Sequence, residues 1–147
     1  MSHEWTRGPY RVSTDPRRVD LDVVHGFLSR SYWAEGIPRA LVERSIENSL
    51  CFGLYDGDRQ VGFARAVTDR ATFAYLADVF VLESHRKRGL SKWLLECVLS
   101  HPELQGLRRW QLATKDAHTL YSRFGFGTPE PGNLMEIRRP DVYRRAS

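Results

Sequence analysis

Long apolar runs are missing from this chain, and cysteine is scarce. No stretch approaches the roughly 18 apolar residues that a membrane-spanning helix requires. The opening MSHEWTRGPYR lacks the basic-then-apolar start of a secretory leader. The expected setting is therefore cytoplasmic, with no membrane partner. Two cysteines, Cys51 and Cys97, stand far apart in apolar contexts. That excludes a disulfide framework and a zinc pattern, and reads as reduced core thiols. No His/Cys cluster suggests a metal, and no internal repeat or low-complexity tract appears. Neither a G-x-x-x-x-G-K-[ST] loop nor a G-x-G-x-x-G fingerprint is present.

What the 147 residues do contain is 41% apolar and 12% aromatic side chains, the content of one folded domain with a real core. The net charge of +4 is unevenly placed. Arg138, Arg139, Arg144 and Arg145 fall in the last ten residues, and Arg86, Lys87, Arg88 and Lys92 form a second group. The remainder is near balance. A local basic site fits this distribution better than a nucleic-acid-binding surface, and no nucleic-acid partner is expected.

Periodicity gives an order of elements. YRVST at 10–14 reads as a strand preceded by a tail over residues 1–9. Helices follow over 19–30 and 38–48, the second opening on Pro38. LCFGLY and QVGFARAV flank Asp56–Gly57, a hairpin signal. TFAYLADVFVL is apolar on both faces, with Leu76, Phe80 and Leu82 expected on one side, and belongs in mid-sheet. Leu90, Trp93, Leu94, Cys97 and Val98 keep helical spacing. RRWQLAT reads as a strand, residues 116–124 as a helix capped by Asp116 and stopped by Gly125, and NLMEI as a last strand. The result is mixed α/β: an antiparallel meander followed by a strand–helix–strand crossover that leaves two strands parallel.

The run HRKRGLSKWLLEC poses a physical question. Cations at a helix N-terminus oppose its dipole, which favours anions there. An anion bound at that end resolves the conflict, because the first-turn N–H groups are free donors and Gly89 lets a bulky anion approach the main chain. Arg86, Lys87 and Arg88 then supply balancing charge. A solvated basic turn is the simpler alternative, disfavoured by the two-sided strand before it and the well-formed helix after it.

On this segment the sequence resembles the GCN5-related N-acetyltransferase (GNAT) superfamily. The family signature is Arg or Gln, two residues, Gly, one residue, then Gly or Ala, after a central strand and opening a helix. Arg86, Lys87, Arg88, Gly89, Leu90 and Ser91 fit it, with Ser91 a small departure at the last place. LYSRFGF and the element order extend the resemblance over about residues 10–138, with residues 139–147 a basic tail. The resemblance implies an acyl-CoA N-acyltransferase fold: a mostly antiparallel sheet with a splayed parallel pair, and helices on both faces. It implies acetyl-CoA as cosubstrate, no metal, and direct attack of a primary amine on the thioester within a ternary complex. Main-chain groups of Phe80, Val81 and Leu82 would bind the pantetheine arm, and one near Phe80 or Val81 would polarise the carbonyl. Main-chain N–H groups of Lys87, Arg88, Gly89, Leu90 and Ser91, with the Arg86 and Arg88 side chains, would hold the pyrophosphate. Lys92 could add a contact, and His118 and Phe124 would stand on the coenzyme side.

Tyr121, in LYSRFGF, matches the family position for protonating the departing thiolate, a role a neutral phenol suits. It also lies on an apolar stripe and could serve the core. Asp78, Glu83 and His118 are candidates for the base, and Asp78 could equally be a paired structural carboxylate. In SYWAEGIP, Tyr32 and Trp33 could wall the acceptor site, with Glu35 attracting a cationic amine. A CoA-binding sensor without transferase activity is the alternative, and a homodimer is compatible with either.

Overall fold

The computed structural model describes residues 2–145. Six strands form one sheet in chain order: β1 (Glu4–Arg7), β2 (Tyr10–Ser13), β3 (Leu50–Asp56), β4 (Arg59–Thr68), β5 (Phe73–Val81) and β6 (Arg109–Leu112). β1 to β5 pair antiparallel, and β6 runs parallel to β5. Five helices accompany them: α1 (Leu21–Leu28), α2 (Arg39–Glu47), α3 (Leu90–Ser100), α4 (His118–Ser122) and α5 (Val142–Arg145). This is the expected mixed α/β sheet with one parallel pair. Among the described residues, no helix is long and apolar enough to cross a membrane.

The sheet is covered on both sides. Leu90, Trp93, Leu94, Cys97 and Val98 of α3 pack with Phe52, Leu54, Ala64, Leu76 and Val81. Val24, Leu28 and Val42 of α1 and α2 pack with Cys51, Phe63 and Phe80 on the other face. Cys51 and Phe52 are adjacent and serve opposite cores, as a pleated strand requires. Helix α1 starts where Asp20 accepts hydrogen bonds from the N–H groups of Asp22 and Val23.

Three sequence expectations need correction. The tail assigned to residues 1–9 contains β1, which turns through Gly8 (φ 59°) and pairs with β2. Only Trp5 of EWTR packs inward, so a four-residue edge strand shows almost no alternation. NLMEI forms no strand: no neighbour pairs with it, and Leu134, Met135 and Ile137 are 53%, 96% and 82% exposed. A β pattern without a partner strand cannot close a ladder. Helix α4 is shorter than expected, and its N-cap is Ala117 rather than Asp116.

The central strand holds a fourth correction. Its pairing with β4 slips between Phe63↔Phe80 and Arg65↔Ala77, and Asp78 adopts φ 56°. One extra residue in β5 makes a bulge, and a bulge inverts the alternation beyond it. Leu76 therefore faces the α3 core while Phe80 faces α1 and α2, not the same side.

His101, 1% exposed, follows α3. Its Nδ1 accepts from Glu103 N–H (3.1 Å), and its ring meets His3 at 4.5 Å. Burial and then the neighbouring His3 lower its pKa from the ordinary 6.5. The unfolded chain therefore takes up this proton first, and stability from the site, whole above about pH 6.5, is lost as pH falls below it. His101→Asn, which keeps an acceptor without titrating, should flatten the fall in Tm between pH 7.5 and 5.5; an unchanged slope would remove His101 from the acid response.

Candidate active site

β5 and β6 pair from Phe73↔Arg109 to Leu76↔Leu112, and then part. β5 continues to Val81 with no strand on that edge among the described residues. A cleft of about 990 Å³ opens between them, with residues 77–81 on one wall and 113–116 on the other. Unpaired backbone groups must find partners or water, so this edge suits a ligand with amides of its own. A smaller cleft of about 290 Å³ adjoins it and shares Val81, Arg86, Ser91 and Leu120 with it.

The smaller cleft sits on the N-terminus of α3. Gly89 is the N-cap (φ 74°), no side chain caps the helix, and its first turn holds no acid. A Cβ on Gly89 would meet nothing within 4 Å, so the space above the free N–H groups is open. Lys87, φ 64°, shares the left-handed backbone of this turn. Arg86, Lys87, Leu90, Ser91, Lys92 and Arg123 surround the cleft. Arg86 is steadied by a hydrogen bond from Nε to the Val81 carbonyl (3.1 Å). Free N–H groups and cations gathered at a helix terminus are chemically suited to an anion.

Several expected residues lie elsewhere. Arg88 donates to the Tyr10 hydroxyl (2.9 Å) and lines neither cleft. Leu82 spends its N–H on the Val61 carbonyl (2.8 Å). Phe124 packs against the α3 core, and His118, Glu83 and Glu35 are exposed outside both linings.

The far half of the larger cleft is aromatic. Phe27 stacks on Phe80 (4.1 Å, 8°), Trp33 lies 6.1 Å from Phe27, and Tyr32 meets Trp33 edge-on at 5.1 Å. Trp33 Nε1–H donates to Asp78 Oδ1 and Arg65 Nε–H to Asp78 Oδ2, each 2.9 Å. Arg65 also donates to Ser49 (3.1 Å). The Tyr32 hydroxyl accepts from Lys115 N–H (3.2 Å), tying the α1–α2 loop to the opposite wall. Tyr143 of α5 completes the lining and packs against the α1–α2 core.

Tyr121 lines the larger cleft, half-buried, with its ring edge-on to Phe126 (5.9 Å). Burial, then nearby Tyr32 and Asp116, push its phenol above the usual 10, so it holds its proton at neutral pH. Both cysteines are buried and line neither cleft, and burial pushes each thiol up to about 12. They are inert core thiols, as read from the sequence.

A family model described as an acetyltransferase (GNAT) domain matches residues 47–128. A candidate acetyltransferase of Gibberella zeae is 34% identical, covering 81% of this chain and 79% of its own. A solved GNAT-family structure from Xanthomonas campestris pv. campestris, itself a candidate acetyltransferase, is 54% identical with TM-score 0.89, covering 91% of this chain and 96% of that one. The fold is shared at 12% identity and TM-score 0.61 with a Clostridium acetobutylicum protein solved with acetyl-CoA, over 94% of this chain and 96% of that one. This chain belongs to the GNAT family of acetyltransferases.

Arg123 and Tyr143 escaped the sequence reading. Arg123 sits within LYSRFGF, which drew attention only to its tyrosine, and Tyr143 lies in a segment read as a charged tail. Arg123→Ala should weaken coenzyme A binding by about fivefold, as expected for one exposed charge, with the loss shrinking at high salt. Titration calorimetry at two salt concentrations checks this; equal affinity at low salt would detach Arg123 from the phosphates.

Proposed function

We propose that this protein moves an acetyl group from acetyl-CoA to a primary amine, with both substrates held together between β5 and β6. The observation that carries the reading is the joining of the two clefts at Val81, Arg86 and Ser91. An anion site thus opens directly onto an unpaired strand edge, with a protonated phenol alongside. The residues fit the coenzyme: an uncapped helix terminus ringed by four cations for the diphosphate, and a strand edge for the amide arm.

When bound, acetyl-CoA supplies an activated thioester acetyl group. The N–H groups from Gly89 to Ser91 hold the diphosphate, helped by Arg86, Lys87, Lys92 and Arg123. Main-chain groups of residues 79–81 align the arm and polarise the thioester carbonyl. Tyr121 gives its proton to the departing sulfur, so that a thiol leaves rather than a thiolate. Asp78 lines the cleft, but both its oxygens are engaged by Trp33 and Arg65, so we assign it to positioning rather than to base chemistry. Glu83 and His118 stand outside the lining. The amine therefore enters already neutral. As its nitrogen bonds the carbonyl carbon it sheds one of its two protons to water at the mouth and keeps the other as the amide N–H, while Tyr121 regains a proton from water. This predicts that kcat/KM rises with pH along the amine's own ionisation.

Tyr121→Phe should lower kcat by about 10²–10⁴-fold while acetyl-CoA still raises Tm. Because the Tyr121 pKa is shifted upward, the wild-type donor should persist through neutral pH and fail only above about pH 10. Thiol release followed across pH checks both points, and near-normal turnover by the phenylalanine variant would end the assignment.

A further inference from the structure

The geometry points to an acceptor amine carried on a single aryl or branched-alkyl body, rather than a polyamine or a basic peptide. This rests on the acetyl transfer proposed above and narrows it to a substrate class. The far half of the cleft presents ring faces. Trp33 and Tyr32 are adjacent in the cleft and 41% and 57% exposed, and contiguous exposed apolar surface in a groove marks ligand or partner sites. Their polar ends are already engaged, the indole N–H by Asp78 and the Tyr32 oxygen by Lys115 N–H. What remains toward the cleft is π-surface, held in place by the Phe80–Phe27–Trp33–Tyr32 series.

Charge decides against a polycation. The two ionised groups deepest in this half, Arg65 and Asp78, neutralise each other at 2.9 Å, with side chains 17% and 10% exposed. The other charged residues of the lining are Arg86 at the diphosphate end and the adjacent Lys115 and Asp116 at the opposite wall. Lys115 Nζ stands 5.4 Å from the centre of the Tyr32 ring, so the acceptor wall already carries a cation. An ammonium elsewhere on the acceptor would be desolvated against aromatic rings; of the two carboxylates in the lining, Asp78 is paired with Arg65 and Asp116 stands beside Lys115 on the opposite wall. Trp33 and Tyr143 both line the cleft, so one flat apolar body would sit against them with its amine toward the edge of β5.

The test compares 2-phenylethylamine with spermidine and a lysine-containing basic peptide, by acetyl transfer and by equilibrium binding to wild-type protein saturated with coenzyme A. The expected result is tighter binding of 2-phenylethylamine and at least about tenfold higher kcat/KM, the range one well-packed apolar group confers. Tyr143→Ala should lower kcat/KM for 2-phenylethylamine more than for ethylamine. Better binding or transfer with spermidine or the peptide overturns the class and leaves acetyl transfer standing. Binding of 2-phenylethylamine without transfer to any amine supports the class and removes the transfer reading. No binding of 2-phenylethylamine overturns the class whatever the transfer assay shows.

Discussion

Two parallel strands that stop being neighbours set the terms for this structure. Past Leu76 and Leu112 the sheet gives up the hydrogen bonds that would have joined β5 to β6. Backbone donors and acceptors along β5 are then left facing a gap in the middle of the molecule. Such groups are costly when buried without partners, so the gap stays open to water until something with complementary amides fills it. An extended ligand with amides of its own would thus find its partners in an incomplete sheet rather than in dedicated side chains. The helices bury the two faces around the missing ladder: α3 and α4 pack on one and α1 and α2 on the other.

The second requirement is electrostatic. A helix that begins uncapped beneath a ring of cations is unfavourable by itself, and it becomes favourable once a diphosphate occupies the ring. Deeper in, the opposite arrangement applies. Arg65 and Asp78 are almost withdrawn from solvent and satisfy each other, Ser49 and Trp33. Deleting either charge would strand its partner, a loss of about 3–5 kcal/mol for buried pairs. One end of the cleft therefore gathers cations without acids, and the other holds a withdrawn pair whose charges cancel.

Much of the scaffold could be read directly. The Asp56–Gly57 hairpin, the α3 stripe and the two-sided β5 all left strong periodic marks. So did the uncapped, cation-flanked start of α3, because Gly89 and its flanking cations are contiguous in sequence. What could not be read depends on contacts between distant residues. Nothing local shows that Arg88 turns to Tyr10, 78 residues away, or that Tyr143 folds back onto α1 and α2. The pairing of Asp78 was foreseeable as one of two alternatives, but its partners, 13 and 45 residues away, were not. β1 was invisible because a four-residue edge strand carries too few inward side chains to register. NLMEI misled for the converse reason: its composition suits a strand, but no neighbouring strand meets it.

The bulge at Asp78 also affects how this chain should be aligned with its relatives. Because β5 changes phase there, the strand carries two reading frames, one for residues up to 77 and another from 79 onward. Both frames are apolar, so an alignment that slides by a single position across the bulge loses little in apparent similarity. It would nonetheless exchange every side chain facing one core with one facing the opposite core. Comparisons of acceptor preference among such proteins therefore need β5 anchored separately on either side of its one left-handed residue.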